Sequence, residues 1–184
     1  MTVHDWLAVD LAEVTALVHQ IDEAEAAQLG QAIRQAHTIF VTGQGRSGLV
    51  MRMFALRLMQ LGLRVYVVGD AITPPISRGD LLIVGSASGE TASAVSAAQT
   101  AKTIGASVAA LTARRDSTAA RLAGVVLFVP GASPKLEGGP TTRLPMGTTM
   151  EQALLIFLDS MIATLAVQLG QSDQTMMARH ANLE

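Results

Sequence analysis

Apolar residues in the first 36 positions recur at spacings of three and four. Trp6, Leu7, Leu11, Val14, Leu17, Val18 and Ile21 fall on one helical stripe. Asp22-Glu23 supplies the acidic start of a second helix that runs through Leu29 and Ile33. From Thr38 the rhythm changes to short β-branched runs at 38–41, 64–68, 81–84, 107–111 and 125–129. These runs are continuous rather than alternating, which suits strands covered on both faces, as in a parallel sheet. Helices fit between them at 48–61, 90–104 and 116–122, while Pro74-Pro75 keeps 72–79 a loop. The expected fold is α/β: a three-layer α-β-α sandwich on a five-stranded parallel sheet, with right-handed crossovers and an N-terminal helical extension.

Residues 130–147 form the one long irregular stretch, rich in Gly, Pro, Ser and Thr, and a loop of that length in a compact domain is usually functional or disordered. An almost wholly apolar helix follows at 150–169, apolar on more than one face and so expected to be buried centrally or between subunits. The chain reads as one domain: helices in 1–36, the α/β core in 38–129, the loop in 130–147, and a helix and tail in 148–184.

Apolar residues make up 49% of the chain and charged ones only 15%, which points to apolar surface covered in an oligomer. A net charge of −2, with no basic run, argues against a partner coated in phosphates such as nucleic acid. The absence of cysteine removes disulfides and thiolate chemistry. The four histidines are too scattered for a metal site. There is no basic N-terminal leader and no run of 18 apolar residues, so the expectation is a cytoplasmic protein without a membrane span.

Two glycine-rich turns each follow a strand and open a helix: Gly43-Gln44-Gly45-Arg46-Ser47-Gly48 and Ser86-Ala87-Ser88-Gly89-Glu90-Thr91. Free amides at a helix start, flanked by hydroxyls, suit a phosphate. The first turn alone also fits a dinucleotide fingerprint, with Asp70 near the place of a ribose-binding acid. The second turn disfavours that reading, because a dinucleotide fold needs no second hydroxyl cradle there. Helix capping by Ser88 would explain one hydroxyl of the second turn and leave Ser86 unaccounted for. Glu90 reads as a first-turn acid and no more. Glu151 opens the apolar helix where the long loop ends. It complements the helix dipole, or it is a desolvated general base. His180 by itself is a solvated tail residue, and Arg179 a surface one.

Taken together these segments resemble the 6-phospho-3-hexuloisomerase family of SIS-domain sugar-phosphate isomerases. The likeness is carried by the two turns, by 57–62, by Arg114-Arg115-Asp116-Ser117, by Pro145-Met146-Gly147-Thr148 with Glu151, and by the tail around Arg179-His180. Departures are Gln44, Ala87 and Met146. The resemblance implies a cofactor-independent, metal-free isomerase, usually a homotetramer. It would interconvert D-arabino-hex-3-ulose 6-phosphate and fructose 6-phosphate in the ribulose monophosphate pathway of formaldehyde fixation. It also implies Glu151 as catalytic base and His180 as a second acid/base. Substrate would be held by Gly45, Arg46, Ser47, Ser86, Ala87, Ser88, Gly89, Glu90 and Thr91. A different SIS isomerase, or a non-catalytic sugar-phosphate sensor, stays open at this level.

Overall fold

A computed structural model describes residues 1–132 and 141–183. Five parallel strands, β1 (Ile39–Gly43), β2 (Val65–Val67), β3 (Leu81–Gly85), β4 (Ser107–Thr112) and β5 (Val125–Phe128), form one sheet in the order β2-β1-β3-β4-β5. Around it lie α1 (Val3–Val18), α2 (Glu23–Gln35), α3 (Gly45–Gln60), α4 (Ala92–Ile104), α5 (Thr118–Leu122), α6 (Thr148–Gln168) and α7 (Asp173–Met177). The expected α/β sandwich is therefore present, with strand bounds within two residues of the expected ones.

Residues of alternating parity along each strand face opposite layers, which is why the strands are mostly apolar on both faces. Ile39, Val41, Leu81, Ile83 and Leu111 pack under α2, α3 and α6 with Leu29, Phe54, Leu58, Leu154 and Leu158. Phe40, Leu82, Val84, Val108 and Ala110 meet α4 and α5 on the other face. There α4 presents Ala94, Ala98 and Ala101, so that layer closes on short side chains. No helix joins β2 to β3. As Pro74-Pro75 requires, that connection is irregular, and Ile76 packs against the α4 layer.

One expectation for the outer helices needs correction. Of the N-terminal stripe only Val14 is buried, while Leu7 and Leu11 stay exposed. The face of α1 turned to α6 instead includes the polar residues Asp10 and Glu13, both half-buried. Helix α6 packs on α1, α2 and α3 but is not buried all round, since Ile156 and Val167 remain exposed. With 21 residues and a mean hydropathy of 1.6 it passes for a membrane span by length and composition, yet it packs as a core helix. Of the long loop at 130–147, residues 133–140 lie outside the described part.

Candidate active site

Strands β1 and β3 are neighbours, but the chain leaves β1 for the α3 layer and β3 for the α4 layer. A crevice opens at the carboxyl ends of strands where connections diverge in this way. Both glycine turns lie there.

Helix α3 begins at Gly45 rather than at the expected Gly48. Within that first turn a Cβ on Gly48 would stand 2.6 Å from the Gly43 carbonyl oxygen, so the turn presses directly on the end of β1. Gly45 itself takes φ of +57°. Arg46 and Ser47 thus become first-turn residues, and the unpaired amides of that turn face the crevice.

The second turn is internally bonded. Ser86 Oγ accepts the Gly89 amide at 3.1 Å and lies 3.2 Å from Thr91 Oγ1, and Ser88 Oγ accepts the Glu90 amide at 3.2 Å. A hydroxyl oxygen that accepts a backbone N–H keeps its own hydrogen free to donate, and for Ser86 the Thr91 hydroxyl is within reach. Helix α4 begins at Ala92 with Thr91 at its N-cap, so neither Ser88 nor Glu90 has the place expected from sequence. The Glu90 carboxylate is drawn away instead: Oε1 accepts the Thr118 amide at 2.9 Å and caps α5. Hydrogen bonds from the Thr118 side chain and backbone, with Arg114 and Arg121 nearby, hold that carboxyl below the usual range. Glu90 therefore braces the turn and does not line the cleft.

Gly89 is a bracing residue too. Its φ is +62°, and a Cβ would fall 2.1 Å from Ser117 Oγ. Gly89→Ala should lower the Tm by about 4–8 °C, from strain and overlap together of about 2 kcal/mol. Gly124→Ala, where nothing lies within 4 Å of an added Cβ, should leave the Tm unchanged. Equal melting of the two variants would remove the close approach as the reason for glycine.

The two turns and the start of α6 enclose a cleft of about 400 Å³, lined among others by Arg46, Ser47, Ser86, Ser88, Thr91 and Glu151. Gly45 and Ala87 also line it. Glu151 projects from the first turn of α6, with its amide bonded to the Gly147 carbonyl at 3.1 Å. Its carboxylate accepts Arg46 Nε at 2.6 Å, with the Glu151 side chain 16% and the Arg46 side chain 63% exposed. The preceding Met146 has φ of +59°, a strained conformation for a side chain of that size. A larger depression of about 650 Å³ lies at the opposite ends of the strands, among Gln28, Lys102 and Ser107, and lacks converging turns. Among the described residues no cluster of three or more His, Asp or Glu side chains is placed to hold a metal.

His180 does not line this cleft within the chain. The tail carrying it is docked at the far end of α3, where Arg179 Nη1 donates to the Gln60 carbonyl at 3.0 Å. The Arg179 guanidinium also covers Gly62, where an added Cβ would fall 3.1 Å from Cζ. Arg46 stands at the other end of this 16-residue helix, about 20 Å away at 1.5 Å per residue. Arg179, read from sequence as a surface residue, is thus the anchor of the tail. No signal in the sequence marks that role.

Residues 32–157 match the family model described as SIS domain. The chain is 41% identical to a Bacillus subtilis protein named 3-hexulose-6-phosphate isomerase, over all of both chains. It is 42% identical to a Mycobacterium gastri protein of the same name, over 94% of this chain and 86% of the relative. A solved Methanococcus jannaschii structure, described as inferring a 3-hexulose-6-phosphate isomerase function, superposes with a TM-score of 0.85 at 33% identity, over 98% of this chain and 99% of the other. With whole-length relatives at this level of identity, the chain belongs to the 3-hexulose-6-phosphate isomerase group of the SIS family.

Proposed function

We propose that the protein interconverts D-arabino-hex-3-ulose 6-phosphate and fructose 6-phosphate, acting as one cytoplasmic domain within a homo-oligomer. The observation that carries this reading is Glu151, held by Arg46 in the same cleft as the Ser86–Thr91 turn. Moving the carbonyl from C3 to C2 takes a proton from C2 and returns one to C3. A single carboxylate on one face can do both through a cis-enediol, and Glu151 is assigned that role. Arg46 is largely exposed and bonded to Glu151, so it can turn its remaining N–H groups to the enediolate oxygens. The hydroxyls of Ser47, Ser86, Ser88 and Thr91 and the amides of the α3 and α4 first turns hold the phosphate. Binding energy from that remote group then orients C2 and C3 against the base.

The oligomer supplies His180. One face of α3 carries Leu49, Met53 and Leu56, all substantially exposed, at spacings that form a single stripe. Arg46 and Gln60 lie two turns to either side of Met53. Two copies pairing this stripe about a two-fold axis perpendicular to α3 run antiparallel, which brings the partner's docked tail to the cleft of the first. His180 can then serve as a second acid/base in trans.

A coupled assay on purified protein tests the substrate. Hexulose 6-phosphate should turn over at least about 100-fold faster, in kcat/KM, than arabinose 5-phosphate or sedoheptulose 7-phosphate. Preference for either of the others, or binding without turnover, overturns the assignment. Ser88→Ala should weaken binding of fructose 6-phosphate by roughly 1 kcal/mol, about fivefold. Calorimetry showing unchanged affinity would remove Ser88 from the site.

A further inference from the structure

Helix α1 precedes the stretch matched by the SIS family model, yet it carries a row of residues aimed at the start of α6. Trp6, Asp10 and Glu13 recur at helical spacing on one face. Glu13 grips the segment that leads into the site. Its Oε2 accepts Thr142 Oγ1 at 2.6 Å, and its Oε1 accepts the Arg143 amide at 3.1 Å. The Arg143 guanidinium sits 5.6 Å from the centroid of the Trp6 ring, within cation–π range. One turn along α1, Asp10 Oδ2 accepts Gln152 Nε2 at 2.8 Å, next in sequence to Glu151.

Further hydrogen bonds hold the segment between Thr142 and the cleft. Thr142 Oγ1 accepts the Leu144 amide at 3.0 Å, Thr148 Oγ1 donates to the Pro145 carbonyl at 2.6 Å, and the Glu151 amide closes on the Gly147 carbonyl. Within this run lies Met146, held at positive φ. A strained residue keeps its conformation only while its surroundings over-determine it, and the contacts from α1 supply part of that constraint.

We infer that α1 is a latch that positions Glu151. Glu13 fixes segment 141–147 and Asp10 the first turn of α6, so that the carboxylate stands at the height of the substrate carbons. The inference rests on the proposed role of Glu151 as the base. Asp10 is the lesser grip, since its Oδ1 is buried with no hydrogen-bond partner. Glu13 is a positioning residue and touches no substrate itself. A displacement on the order of 1 Å at a catalytic group can cost up to about 100-fold in rate, so loosening the latch should act on kcat.

The test compares wild type, Glu13→Ala and Glu13→Gln by steady-state kinetics with hexulose 6-phosphate and by amide hydrogen exchange. Glu13→Ala should lower kcat by about tenfold or more with KM for the phosphorylated substrate within about twofold. Exchange should quicken in 142–151 and stay at the wild-type rate in β1 to β4. Glu13→Gln can accept the Arg143 amide through Oε1 and donate to Thr142 Oγ1 through Nε2, so it should recover kcat to within about threefold of wild type. Unchanged exchange in 142–151, or unchanged kcat in Glu13→Ala, overturns the latch. So does a loss of kcat that Glu13→Gln does not restore. If wild type fails to turn over hexulose 6-phosphate, the isomerase reading fails separately, and the exchange comparison alone decides whether Glu13 holds the segment.

Discussion

Glu151→Gln should lower kcat by about 10²–10⁴ while the Tm and the affinity for fructose 6-phosphate stay close to wild type. The substituted amide keeps the size of the side chain and can still accept Arg46 Nε, so the cleft keeps its shape. What it loses is the ability to take the C2 proton. Because Glu151 lies at one end of α6 and outside the main core, its replacement leaves the packing of Leu154, Leu158 and Leu165 intact. Steady-state kinetics with calorimetry on the same preparation checks both halves. Near-full turnover in the variant would show that another group carries the proton, with His180 the next candidate. A parallel fall in affinity would make Glu151 a binding residue instead.

His180→Ala should also lose most of its turnover, and a mixture of two crippled proteins should regain it. If the tail acts across the α3 interface, refolding equal amounts of Glu151→Gln and His180→Ala subunits creates sites with both groups intact. Random pairing in a two-fold interface gives such sites about a quarter of the time, so about a quarter of wild-type activity should return. Either variant alone stays near its own low level. A histidine acting within its own chain would leave the intact pair on no subunit, and the mixture would remain inactive. The docking of Arg179 on Gln60, roughly a helix length from Arg46, makes that second outcome the unexpected one. Sedimentation showing a monomer of 19.2 kDa at micromolar concentration would remove the interface on which the result depends.

Much of the architecture could be read along the chain because each local signal agreed with the layer it entered. Five short apolar runs without alternation, set between helical segments, suit strands covered on both sides, and a sheet with two helical layers follows from that. Gly43 and Gly48 marked a glycine-rich turn read as a phosphate site. The structure shows a backbone contact as well, since a Cβ on Gly48 would stand 2.6 Å from the Gly43 carbonyl oxygen. The clustered hydroxyls at 86–91 drew attention to the second turn, where Ser86 Oγ lies 3.2 Å from Thr91 Oγ1 beside the cleft. The family resemblance, resting on the same turns together with the Glu151 segment, led to the relatives that the whole chain matches.

The destinations of long side chains depended on the tertiary structure. Glu90 stood in the cradle's sequence, but it turns away because the bare amides of α5, brought close by the β4–α5 turn, compete for its carboxylate. Nothing in the sequence singles out Glu13 and Asp10, and only the packing of α1 on α6 gives them partners 129 and 142 residues away. Arg179 likewise finds the end of α3 across 119 residues. Sequence periodicity reports which face of an element is apolar, because burial is local and repeats with the helix or strand. It carries no record of what a polar side chain meets across the fold, since that partner is set by how the layers pack.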